Sequence, residues 1–159
     1  MMRAWNMGGE TGMRIMENLP CLGWSEWACL PELGGLVVLA KVDTGARSCA
    51  LHVDSQNCFQ RDGREWVRFA LHLGHGRQLD YCLPVADRRV VTNSGGHGRE
   101  RIFVRSVLRL GDWERDVELN LADRHGLKHP MLIGRSAVAG AWVVDPGRRF
   151  VLGRELPSP

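Results

Sequence analysis

The sequence predicts an all-β domain. Three observations carry that reading: 19 glycines and 7 prolines divide the chain into short pieces, Leu36 to Val42 is a nearly continuous apolar run, and Val67, Phe69, Leu71 and Leu73 alternate with Trp66, Arg68, Ala70 and His72. Turn formers between short apolar segments suit hairpins. A Val- and Leu-rich run suits a buried strand, and period-two alternation turns one face inward and the other to solvent.

With 159 residues, 44% hydrophobic and 25% charged, the chain can bury a core without disulfides or a structural metal and is too apolar for a disordered polymer. Residues 1–17, rich in Met and Gly and without periodicity, read as a disordered tail or extension, which leaves 18–159 as one domain. Cys21, Cys29, Cys49, Cys58 and Cys82 are odd in number and form no Cys-x-x-Cys pair, so reduced thiols are expected. No apolar run reaches the roughly 18 residues that span a bilayer, and no basic-then-apolar leader opens the chain. A cytoplasmic protein without membrane contact is the expectation.

The elements follow in order. The run Leu36 to Val42 leads into Asp43, and a second strand, Cys49 to Val53, leaves the turn. Trp66 to Leu73, the reversal Gly74-His75-Gly76 and the extended Gln78 to Val85 form a hairpin, which is either a flap over a cleft or an ordinary surface hairpin. Asn93 to Gly98 is a loop by composition. After it, Ile102, Val104, Leu108 and Leu110 face one side of a strand and Arg101, Phe103, Arg105, Val107 and Arg109 the other. Trp113 to Leu121, with Val117, Leu119 and Leu121 inward, and Pro130 to Ile133 are further strands. Gly134 to Ala139 forms one short helix before Trp142 to Asp145.

Asp43-Thr44-Gly45-Ala46 is the segment with chemical content. Hydrolysing an amide without a metal or a covalent nucleophile takes one carboxylate that removes a proton from water and one carboxylic acid that donates to the carbonyl. Two carboxyls a few ångströms apart share one proton, because like charges at that distance do not both ionise cheaply. Asp43 ends a buried strand, Thr44 can hydrogen-bond across a two-fold axis, and Gly45 allows close backbone approach. By itself Asp-Thr-Gly also describes an ordinary turn.

A second segment, Pro130-Met131-Leu132-Ile133-Gly134-Arg135, is an apolar strand ending in glycine. Together the two segments resemble the paired signature of retropepsins, in which such a strand packs beside the catalytic turn. Leu22-Gly23-Trp24, Ala40 to Ser48, Ala50-Leu51-His52 and Met131 to Arg135 are similar to blocks of the bacterial retropepsin-like family once labelled "ATP-dependent zinc proteases". The resemblance runs from about Leu19 to Leu156. It implies a closed β-barrel like half of pepsin, with Asp43, Thr44 and Gly45 catalytic and Ile133 and Gly134 supporting the turn.

Only one Asp-Thr-Gly occurs, so a catalytic pair requires a homodimer that presents Asp43 twice. Some members of that family resemble the enzyme that trims the poly-glutamate tail added to a ribosomal protein by an ATP-grasp ligase. The resemblance thus implies a poly-glutamylated substrate and that ligase as partners. Charge agrees with this: Lys41 and Arg47 flank the turn, and Arg88, Arg89, Arg99, Arg101, Arg105 and Arg109 face a single acid, Glu100, between residues 88 and 109. Arginine forks select carboxylates, and a solvated strand face is the other meaning of such a run. The candidate substrate-binding set is Lys41, Ala46, Arg47, His52, Arg88, Arg89, Arg101 and Arg135.

Other chemistries are set aside. No His-Glu-x-x-His occurs, and His52, His72, His75, His97, His125 and His129 are scattered, so no metal is expected. No Gly-x-x-x-x-Gly-Lys-Ser/Thr stretch is present, so no nucleotide cofactor is expected. Cys49 lies in an apolar strand and reads as a small hydrophobe. A formal net charge of only +3 and few interleaved aromatics argue against nucleic acid. The alternative to a peptidase is a peptide-binding or regulatory module that keeps the barrel while its dimer leaves the two aspartates apart.

Overall fold

The computed structural model describes residues 18–73, 76–92 and 95–156, with the side chain of Leu73 excepted. The expected tail, 1–17, and the tips at 74–75 and 93–94 lie outside the described residues. Twelve strands run in order among those described: β1 (Cys21–Gly23), β2 (Ser25–Leu30), β3 (Leu36–Asp43), β4 (Cys49–His52), β5 (Ser55–Arg61), β6 (Arg64–Leu73), β7 (Arg77–Pro84), β8 (Asp87–Thr92), β9 (Gly98–Leu110), β10 (Trp113–Ala122), β11 (Met131–Gly134) and β12 (Val143–Asp145). The one α-helix among the described residues, α1 (Arg135–Val138), follows β11 directly, as the sequence predicts.

Six strands close on themselves. β10 pairs with β4, β4 with β11, β11 with β3, β3 with β2, β2 with β9, and β9 returns to β10. The seam between β2 and β9 is narrow, a single opposed pair of Cys29 and Arg109. β8 extends the outer edge of β9. The ring interior is filled by alternate residues: Val38, Ala40 and Val42 from β3, Leu51 from β4, Val104, Leu108 and Leu110 from β9, Leu119 and Leu121 from β10, and Met131 and Ile133 from β11 are all buried. Removing each such aliphatic side chain from water is worth about 2 kcal/mol.

A second sheet of β5, β6 and β7 packs on the same core through Val67, Phe69 and Leu71. The strand expected at 66–73 is thus anchored by its apolar face, as in an ordinary hairpin. β5 and β6 are joined by Asp62-Gly63, both with positive φ, 51° and 72°. This is the backbone a tight two-residue turn demands, and Asp-Gly is suited to it.

Strands β1, β2, β5 and β8 are not singled out by periodicity. β2 is buried on both faces and carries the fully buried Glu26. The Glu26 carboxylate accepts the backbone N–H groups of Gly23 at 2.6 Å, Val151 at 2.9 Å and Leu152 at 3.3 Å, tying β1 and the C-terminal segment to the ring. Phe103 points outward from β9 yet is buried, because the Arg89 guanidinium lies over its ring at 3.7 Å. No helix among the described residues is long and apolar enough to cross a membrane.

Candidate active site

Asp43 is the last residue of β3 and alternates with the buried Val42, so it faces out of the ring on the same side as Lys41. Its carboxylate is held by its own turn: Oδ1 accepts the backbone N–H groups of Gly45 at 3.0 Å and Ala46 at 3.3 Å. Both bonds fall on one oxygen, which orients the carboxylate without any other side chain.

The turn is clamped from the β11 side. Gly134 stands opposite Asp43 in the parallel pairing of β3 and β11. The backbone of Arg47 and Ser48 crosses so close to Gly134 that a Cβ there would meet the Arg47 carbonyl oxygen at 2.7 Å. Next along the chain, Arg135 N–H donates to Ala46 O at 2.8 Å, Ser136 N–H to Arg47 O at 3.1 Å and Ser136 Oγ to Arg47 O at 2.6 Å. The Arg135 guanidinium donates to Gly45 O at 3.0 Å. Arg135, expected to touch substrate, therefore has its fork on the turn backbone, and Thr44 and Gly45 stay exposed.

The remaining candidates divide into two groups. Arg88 is bound to Glu65 at 2.6 Å and Glu100 at 3.1 Å, and Arg89 to Asp87 at 2.8 Å and Glu118 at 2.6 Å. These two arginines are neutralised by neighbours within the fold. Lys41, Arg47 and Arg101 form no ion pair among the described residues.

Three cations not singled out from sequence join them: Arg124, Lys128 and Arg149. His129 sits among this group, and its imidazole is held below the ordinary histidine range by burial first, then by Lys128, Lys41, Arg149 and Arg124. Burial likewise pulls the Arg124 guanidinium below the ordinary arginine range; Asp43 opposes this and Arg101 adds to it. None of Arg124, Lys128 and Arg149 is in an ion pair among the described residues. These like charges gather around His129, and of them Arg124 also feels the charge of Asp43, so the face beside His129 is electropositive.

His52 ends β4 on the outward face, where its Nδ1 accepts the Arg124 backbone N–H at 2.9 Å. The proton of the neutral ring is therefore on Nε2, which faces Asp54 Oδ1 at 3.3 Å. His52, Asp54 and His125 bring one potential ligand atom each within 4.8 Å of one another. An Nε2 that carries the proton has no lone pair to offer a metal, so His52 works as a link between the Arg124 backbone and Asp54. A surface cavity of about 760 Å³, lined by Gly147, Arg148, Arg149, Phe150, Val151 and Arg154, does not include Asp43. Asp43 itself is half-buried.

A closed β-ring with an Asp-Thr-Gly turn clamped by an apolar-apolar-Gly strand defines the retropepsin-like class. The chain belongs to the RimB-like family, described as retropepsin-like aspartic endopeptidase RimB, whose model matches residues 21–155. Among curated relatives, a probable alpha-L-glutamate ligase of Desulfotalea psychrophila is 36% identical over 135 residues, which is 83% of this chain and 29% of the relative. A probable alpha-L-glutamate ligase of Shewanella pealeana is 35% identical over 144 residues, 89% of this chain and 31% of the relative. This chain thus spans under a third of the length of those relatives. Among solved structures, a Legionella pneumophila protein of unknown function is similar with a TM-score of 0.71 at 27% identity, covering 84% of this chain and 98% of that one.

Proposed function

We propose that this chain is an aspartic endopeptidase that works as a homodimer through paired Asp43 and trims poly-glutamate tails, such as those on a ribosomal protein, in the cytoplasm. The observation that carries the reading is the Asp43 carboxylate itself, oriented by Gly45 and Ala46 at the rim of a retropepsin-like ring, with Arg124, which forms no ion pair among the described residues, near enough to feel its charge. In the mechanism, one carboxylate of the pair takes a proton from water as its oxygen attacks the peptide carbon. The other, protonated, donates to the carbonyl oxygen, and collapse of the tetrahedral intermediate breaks the C–N bond as the leaving nitrogen gains a proton.

The substrate class is supported from two sides. Bidentate arginine contacts favour carboxylate side chains over apolar ones. Relatives named probable glutamate ligases carry a segment like this one within a longer chain, which supports a glutamate ligase as a partner and glutamate chains as the substrate class. The test is cleavage of glutamate-tailed and apolar peptides by the intact chain and by Asp43→Asn, with the oligomeric state followed by sedimentation. Loss of cleavage in a folded, dimeric Asp43→Asn is the expected result. Undiminished cleavage by that variant overturns the enzymatic assignment, and binding without cleavage by the unaltered chain points to the non-catalytic module.

A further inference from the structure

Arg124 occupies the loop between β10 and β11, and His52 pins that loop at both ends. The His52 ring accepts the Arg124 backbone N–H at 2.9 Å, and the His52 backbone N–H donates to Pro130 O at 2.7 Å. Asp54 completes the support, since its Oδ1 lies 3.3 Å from His52 Nε2 while its Oδ2 accepts the His72 backbone N–H at 2.6 Å. A cationic side chain is thus carried by a loop whose base is fixed to the ring.

The guanidinium is poorly satisfied within the fold. Its Nε and Nη2 both reach one carbonyl, His129 O, at 3.4 Å, the long end of hydrogen-bond range. Those are its only partners among the described residues. It is partly buried, where charge–charge interactions are stronger than at a fully solvated surface. It is also near enough to Asp43 and Arg101 for both to act on its charge. An arginine that is half desolvated, underbonded and set beside the catalytic turn has the geometry of a carboxylate receptor.

We infer that Arg124 reads an acidic side chain of the substrate beside the scissile bond, and that His52 is the positioning residue that holds it there. The inference rests on the peptidase reading for the word scissile, but not for the binding itself. The discriminating experiment is fluorescence anisotropy with two labelled peptides, one ending in an oligo-glutamate tail and one in the matching oligo-glutamine tail, in a common Asp43→Asn background.

Arg124→Gln is expected to lower the ratio of glutamate to glutamine affinity about tenfold, with Arg124→Lys intermediate, because lysine keeps the charge and loses the fork. Circular dichroism monitors folding. Should Arg124→Gln fail to fold, Arg124→Lys decides, and an affinity ratio equal to that of the parent overturns the inference. With Asp43 intact, His52→Ala is expected to raise KM for the glutamate peptide more than it changes kcat, and His52→Gln, which keeps an acceptor, to recover part of the loss. An unaltered chain that binds glutamate tails through Arg124 and never cleaves them ends the peptidase reading alone. Cleavage that keeps its glutamate preference in Arg124→Gln ends this inference alone.

Discussion

Gly134 lies opposite Asp43 in the parallel pairing of β3 and β11, and it has no room for a side chain. The carbonyls of Arg47 and Ser48 fill the space a Cβ would need, because the return from the Asp43 turn crosses the end of β11 there. Gly134→Ala is therefore expected to push the turn off the ring. Overpacking of this kind costs about 1–3 kcal/mol or more, and Asp43-dependent cleavage should disappear with it. Thermal melts and peptide cleavage check this, and an Ala variant with the parent melting temperature would contradict the clamp.

Glu26 is a buried carboxylate whose partners are three backbone N–H groups. In Glu26→Gln the amide nitrogen would face a donor, and in Glu26→Ala all three N–H groups would lose their acceptor. Each unsatisfied buried group costs about 1–3 kcal/mol. Urea unfolding should rank the native chain above Gln and Gln above Ala. A neutral Ala variant would show that the C-terminal segment is held by other means.

Cys49 and Cys82 should differ sharply in reactivity. Burial pushes the Cys49 thiol up to about 11, with a partly offsetting hydrogen bond from the Gly134 backbone, whereas Cys82 is exposed. The thiolate is the reactive form. At about pH 8 a maleimide should label Cys82 in the folded chain and Cys49 only after unfolding, as peptide mapping by mass spectrometry would reveal. Rapid labelling of Cys49 in the native protein would refute its placement in the core.

Asp54 predicts a pH dependence. The His72 backbone N–H, followed by the side chains of His72 and His52, holds its carboxyl below the ordinary aspartate range despite some opposing burial. A carboxyl depressed in the folded state contributes stability that is present above its unfolded pKa of about 4 and is lost as pH falls through the folded value. The native chain should therefore lose more melting temperature on acidification through that window than Asp54→Asn does. Parallel losses in the two proteins would remove Asp54 as a contributor.

Much of the fold is legible in the sequence because its signals are short in range. The period-two pattern of residues 66–73 and the apolar runs at 36–42 and 130–133 each report a local periodicity, and each emerges as a strand. β2 escapes such reading because it is buried on both faces, so Glu26 within it looks like any surface acid until its N–H partners arrive from residues 23, 151 and 152. The β5–β6 turn at Asp62-Gly63 is not singled out from the sequence, although both residues adopt positive φ there and Asp-Gly is a pair suited to do so.

The sequence by itself determined the strand faces, the Asp43 turn and the glycine-ended strand that meets it, because alternation, turn chemistry and the need for a missing side chain are properties of neighbouring residues. Only the tertiary structure decided which charges remain for a ligand. Arg88 and Arg89 find Glu65 and Glu118 across 23 and 29 residues of chain, while Arg124 and Lys128 of the β10–β11 loop gather with Lys41 of β3 and Arg149 of the C-terminal segment around His129. Charges compensate through space, and strand pairing sets those distances.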